Sequence, residues 1–90
     1  MSEHDTLMWE VRAEQGRLPE LLDWIRGTGL PALRDTAGWR GADVYTASDD
    51  RAVIIARFEQ AGPTLPEVPA ELVRRPAHQW RFTHVLTVSP

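Results

Sequence analysis

The chain has no cysteine, no lysine and no asparagine. Without cysteine there are no disulfides and no thiolate metal sites. The three histidines, His4, His78 and His84, are scattered without metal-ligand spacing, so no metal site is expected. All ten basic residues are arginine, a skew typical of GC-rich coding; arginine selected for bidentate anion binding is the functional alternative. No apolar run reaches the ~18–20 residues of a membrane-spanning helix. The opening Met1-Ser2-Glu3-His4-Asp5 lacks a positive region followed by an apolar one, so no signal peptide is read. A formal net charge of −3 gives no electrostatic footprint for nucleic acid. These absences predict a soluble cytoplasmic protein that binds neither nucleic acid nor membrane.

Ninety residues make one small domain, read as 6–90 after a disordered 1–5. A chain this short buries only about 60–65% of its unfolded surface and needs reinforcement. With disulfides and metals excluded, association with a second copy is the expected source.

Alternation over Thr6–Glu14, with Leu7, Trp9, Val11 and Ala13 on one side, predicts a strand. Arg17–Arg26 changes period: Leu18, Leu21, Leu22 and Ile25 form one helical stripe, with Pro19 in the first turn. Gly27-Thr28-Gly29 is expected to interrupt this helix and Leu30–Arg34 to resume it, with Gly38 as a left-handed stop. Trp39–Ala47 and Arg51–Glu59 form a hairpin. Its second arm holds Ala52–Phe58, the most continuously apolar run of the chain, expected to be an interior strand buried on both faces.

A two-residue Asp49-Asp50 turn is the preferred reading. It puts Asp43 and Tyr45 on the face of Ile54 and Phe58; a three-residue loop would put Ala42 and Val44 there instead. Pro63, Pro66 and Pro69 recur every third residue and suit an extended path. Only Ala70–Arg75 can be helical, so the second helix is reduced. Gln79–Val88 alternates as a last strand with Trp80, Phe82, His84, Leu86 and Val88 on one face.

The order β-α-β-β-α-β predicts an α+β, ferredoxin-like fold: a four-stranded antiparallel sheet with helices on one face. The helix-facing layer is expected to hold Leu7, Trp9, Val11, Ile54, Phe58, Trp80, Phe82 and Leu86. The other face would mix Glu10, Arg12, Arg57, Glu59 and Arg81 with Met8, Val44, Val53, Ile55 and Val85, a pattern that suits an association surface.

Three stretches resemble the dimeric α+β barrels of the antibiotic biosynthesis monooxygenase-like superfamily. They are Met8-Trp9-Glu10-Val11 leading to Leu21-Leu22, Leu30-Pro31-Ala32-Leu33-Arg34 leading to Gly38-Trp39-Arg40-Gly41, and the hairpin end Arg57-Phe58-Glu59. The resemblance implies a homodimer with one pocket per subunit for a small hydrophobic or aromatic molecule, and no bound cofactor. It also implies oxidoreductase chemistry of secondary metabolism, in which cofactor-free oxygenases act on aromatic polyketides. Those oxygenases typically carry a tryptophan ending the third strand and an asparagine before it; Phe58 and Ile54 stand at those positions here, and neither retains the indole or the amide. Haem-degrading members use a first-strand asparagine, that same tryptophan and a histidine ligand; Val11 and Phe58 depart from the first two, and His78 loosely matches the third.

The residues themselves offer His84 as a general base on the inner face, with Tyr45 and Asp43 orienting a phenolic or enolic substrate. Trp9, Ile54, Phe58, Trp80 and His78 would line the substrate pocket. The alternative is a non-catalytic ligand-binding or accessory protein of the same fold, with haem binding or degradation a minor one.

Overall fold

A computed structural model describes residues 4–90. It is an α+β fold: four antiparallel strands in one open sheet, covered on one side by a helix and an irregular connection. The strands are β1 (His4–Arg12), β2 (Trp39–Ala47), β3 (Arg51–Phe58) and β4 (His78–His84), in the spatial order β2-β3-β1-β4. Of the residues expected to fray, His4 and Asp5 belong to β1, and 1–3 lie outside the described residues.

The helical layer does not break at Gly27-Thr28-Gly29. Helix α1 (Leu18–Trp24) passes directly into a π-helical turn, Ile25–Gly29, and then into α2 (Leu30–Arg34). Pro31 has no N–H to offer the preceding turn, and its ring would crowd that turn's carbonyl. The widened turn supplies the space, with the Leu30 N–H reaching back five residues to the Ile25 carbonyl. Gly29 is buried there, and a Cβ on it would stand 3.0 Å from the Trp24 ring and 3.1 Å from Leu65.

The hairpin closes through a three-residue loop. Ala47 pairs with Arg51, Tyr45 with Val53, Val44 with Ile54 and Asp43 with Ile55. Asp50 takes a φ of 64°, the only positive φ among the described non-glycine residues. A two-residue primed turn favours left-handed conformations that Asp-Asp lacks the glycine to supply, whereas a three-residue loop needs one left-handed residue at its end. This corrects the preferred register: Asp43 and Tyr45 lie on the face opposite Ile54 and Phe58. At the other end of β2 the register slips between Trp39 and Ala42, and Gly41 takes a φ of 110°. That bulge keeps both Trp39 and Ala42 beside the core, with Trp39 edge-on to Phe58 at 5.8 Å.

β3 is interior in the sheet, but buried on one face only. Ala52, Ile54, Ala56 and Phe58 are fully buried, while Arg51, Val53, Ile55 and Arg57 are half-buried. The core joins these four to Leu7, Trp9, Val11 and Ala13 of β1 and its extension. Leu21, Ile25 and Leu33 cover them from the helix, and Leu65, Val68, Leu72 and Val73 from the connection. The predicted second helix shrinks to one 3-10 turn, Ala70–Leu72. The connection instead docks on the end of β1: Ala13 bridges to Val73, and the Arg74 N–H donates to the Arg12 carbonyl at 3.1 Å.

β4 is turned over relative to the expectation. Trp9 pairs with Gln79, Leu7 with Arg81, Met8 with Trp80 and Thr6 with Phe82. Gln79 and Arg81 therefore face the connection, while Trp80, Phe82 and His84 face the open side. A proline-rich path makes few hydrogen bonds of its own, and its backbone polar groups need partners. Gln79 and Arg81 supply them, Gln79 at Leu65 and Arg81 at the Gly62 carbonyl. The strand ends at His84, where its pairing along β1 reaches His4. Leu86 and Val88, expected to continue it, are exposed outside any strand.

Candidate functional site

The connection between β3 and β4 leaves a cleft of about 600 Å³ between itself and the sheet. Its floor is Trp9, 1% exposed, and its walls include Leu65, Val68 and Val73, with Gln79 at one side and Arg74–Ala77 at the rim. Local sequence explains why a cleft forms here. Three prolines in seven residues hold 63–69 extended, so no helix packs its side chains flush against the sheet. Trp9 is held from the other side by a near-parallel Trp24 ring, 6.3 Å between centroids.

The cover is tied down by named polar groups. The Leu65 N–H donates to Gln79 Oε1 at 2.9 Å, and Gln79 Nε2 donates back to the Leu65 carbonyl at 3.5 Å. Asp5 accepts from the Gly62 N–H at 3.3 Å and is ion-paired with Arg81. The ionisable side chains lining the cleft are Glu67, Arg74 and Arg75, with no histidine, aspartate or tyrosine among them. With Trp9 almost wholly covered, the indole closes the bottom of the cleft, and the walls of Leu65, Val68 and Val73 suit an apolar ligand more than they suit proton transfer.

Of the residues expected to line the pocket, Trp9 alone borders this cleft. Ile54 and Phe58 are fully buried core and border neither cavity. Trp80 is 44% exposed on the open sheet face, its ring stacked on His78 at 5.7 Å. His78 lines a different cavity, of about 300 Å³, together with Glu10, Arg12, Arg51, Arg74 and Arg75.

The proposed catalytic set is not brought together. Asp43 receives a hydrogen bond from Arg57 at 2.9 Å, and Tyr45 is exposed on the edge strand. Tyr45 lies in register with Val53, Glu10 and His78, while His84 is six residues further along β4. Three strand spacings across and six residues along put Tyr45 and His84 roughly 25 Å apart. His84 instead meets Thr87 at 2.8 Å through Nε2 and lies beside the His4 ring, 5.8 Å between centroids. The feature that sequence reasoning missed is the connection itself. The sequence carries its signal in Leu65, Val68, Leu72 and Val73, apolar residues dispersed through and just beyond the proline-rich path.

Comparison with protein-family models, curated proteins and solved structures returned no match for this chain. Among the described residues no group of three metal-ligating side chains is assembled, and no helix is long and apolar enough to cross a membrane.

Proposed function

We propose that this protein is a small-molecule-binding, homodimeric α+β barrel of the antibiotic biosynthesis monooxygenase-like kind, ferredoxin-like in topology, whose cleft holds a small hydrophobic or aromatic molecule without a cofactor. The observation that carries the reading is the 600 Å³ cleft floored by Trp9, within the size range of pockets for small organic ligands. The non-catalytic form of the reading is preferred. His84, Tyr45 and Asp43 lie apart on the open face, so the oxygenase or cyclase version lacks its base beside the ligand. The haem version fares no better, because His78 borders the other cavity.

Dimerisation is supported by the uncovered sheet face. Trp80, Phe82 and Tyr45 are about half exposed there, beside half-buried Met8, Val53 and Ile55. Covering them with the same face of a second copy would complete burial of β3 and supply the core that a 90-residue chain lacks.

The test is titration with a neutral aromatic probe, 2-naphthol, followed by NMR. Saturable shifts of the Trp9 indole and of Leu65 and Val73 methyls are expected. They should weaken at least tenfold in Val73→Trp, which fills the cleft. No saturable shift at millimolar probe overturns the reading.

A further inference from the structure

The second cavity, on the far side of the Arg74–Pro76 segment from the apolar cleft, carries a separate chemistry. Arg12 and Arg51 stand directly opposite each other on β1 and β3, a pairing that repels unless something negative is shared between them. Asp49 is that group, accepting from Arg12 at 2.9 Å and from Arg51 at 2.8 Å. Glu10 adds a second carboxylate, 3.2 Å from Arg51. These two acids balance the two arginines.

Arg74 and Arg75 line the same cavity and have no acidic partner: among the described residues neither forms an ion pair. Their backbone is also held in place. Arg74 is fixed by its N–H to the Arg12 carbonyl, next to the Ala13–Val73 bridge. Pro76 follows and restricts Arg75 to extended backbone. Four guanidinium groups line the cavity with one carboxylate, Glu10, and Asp49 is ion-paired to two of them from outside the lining, which leaves an excess of two positive charges in a chain whose formal net charge is −3. Guanidinium presents paired N–H donors in a plane, matched to the oxygens of carboxylate and phosphate. His78 completes the wall with a further polar ring. Its volume of about 300 Å³ accommodates more than a bare ion.

The geometry points to a binding site for a small organic dianion, a phosphate monoester or a dicarboxylate, held by Arg74 and Arg75 over a floor of Arg12 and Arg51, which Asp49 holds together from outside the cavity. This site shares Arg74, Arg75 and Pro76 with the rim of the apolar cleft but not the cleft's floor and apolar walls. Nothing in it requires the 2-naphthol titration to succeed.

The experiment titrates the whole chain with inorganic phosphate and with succinate at constant ionic strength, against chloride as reference, following backbone amide shifts. Saturation by either dianion, centred on Arg12, Arg74, Arg75 and His78, is the expected result. Phosphate alone saturating assigns the phosphate class, and succinate alone the dicarboxylate class. The double variant Arg74→Gln/Arg75→Gln should weaken binding at least tenfold with an unchanged melting temperature. Arg34→Gln, removing an exposed arginine of α2 that is also unpaired among the described residues, should leave it unchanged. Shifts that fail to saturate with both dianions, or equal weakening by Arg34→Gln, overturn the proposal.

Discussion

The Gln79 amide pairs with both backbone polar groups of Leu65, taking its N–H at 2.9 Å and meeting its carbonyl at 3.5 Å. A single side chain on the edge strand thus does for the connection what a neighbouring strand does in a sheet. The expected consequence of Gln79→Ala is a loss of about 0.5–1.5 kcal/mol in stability. Amide exchange should accelerate at Leu65 while remaining slow in β3. Urea unfolding with hydrogen exchange checks both, and unchanged protection at Leu65 would rule out the tethering role.

Two glycines should respond to alanine with opposite signs. A Cβ on Gly62 would lie 2.6 Å from the Phe58 ring, which is wholly buried and unable to retreat. Gly62→Ala is expected to destabilise by about 1–3 kcal/mol, the usual cost of overpacking. Gly27 is exposed in the helical layer, and a Cβ added to it would meet nothing within 4 Å. Gly27→Ala is expected to stabilise by roughly 0.5–1 kcal/mol through the restricted unfolded chain. Thermal unfolding of the two variants decides both signs. The same ring makes Phe58→Trp an overpacking change, which is a physical reason for phenylalanine at this position.

Asp49 gives the fold an acid-sensitive point. Desolvation pushes its carboxyl up, but the hydrogen bond from Arg51 and the charges of Arg51 and Arg12 outweigh it, leaving the pKa below the ordinary 3.8. A carboxylate depressed on folding contributes stability that is present above its unfolded pKa. That contribution is lost as pH falls through the folded value. The stability curve should therefore decline below about pH 4, and Asp49→Asn should flatten part of that decline. The group is solvent-exposed, so the effect is small. Carboxyl NMR titration of Asp49 checks the direction: a midpoint at or above the ordinary value would refute it.

The open sheet face predicts an association that one charge can break. Trp80→Glu places a carboxylate amid Met8, Ile55 and Phe82 on the face proposed to meet a second copy. Light scattering after size exclusion should give a dimer for the native chain and a monomer for the variant at micromolar concentration. A native chain that runs as a stable monomer would remove the barrel reading, while leaving both cavities to be tested separately.

Much of the architecture follows from local pattern. The alternation of Leu7, Trp9, Val11 and Ala13, the helical stripe of Leu21 and Ile25, and the apolar run Ala52–Phe58 each determine an element and its buried side. They do so because side-chain period and backbone geometry are linked within a few residues. The sequence also determined the extended course of residues 63–69, since proline fixes φ wherever it stands.

What only the tertiary structure decided are the choices between two nearly equal local solutions. The Ser48-Asp49-Asp50 turn admits two registers one residue apart, and the structure adopts the one in which Asp49 sits between Arg12 and Arg51, residues from two different strands. β4 alternates well on both sides; the polar needs of a connection more than ten residues away turn Gln79 and Arg81 inward and leave Trp80, Phe82 and His84 outside. Both decisions are made by partners distant in sequence, and together they move Tyr45 and His84 to the open face, away from the apolar cleft; the distance between the two follows from β2 and β4 lying at opposite edges of the sheet. The cleft over Trp9 and the arginine cavity are products of the same long-range docking, because each is walled by a segment whose position depends on the end of β1.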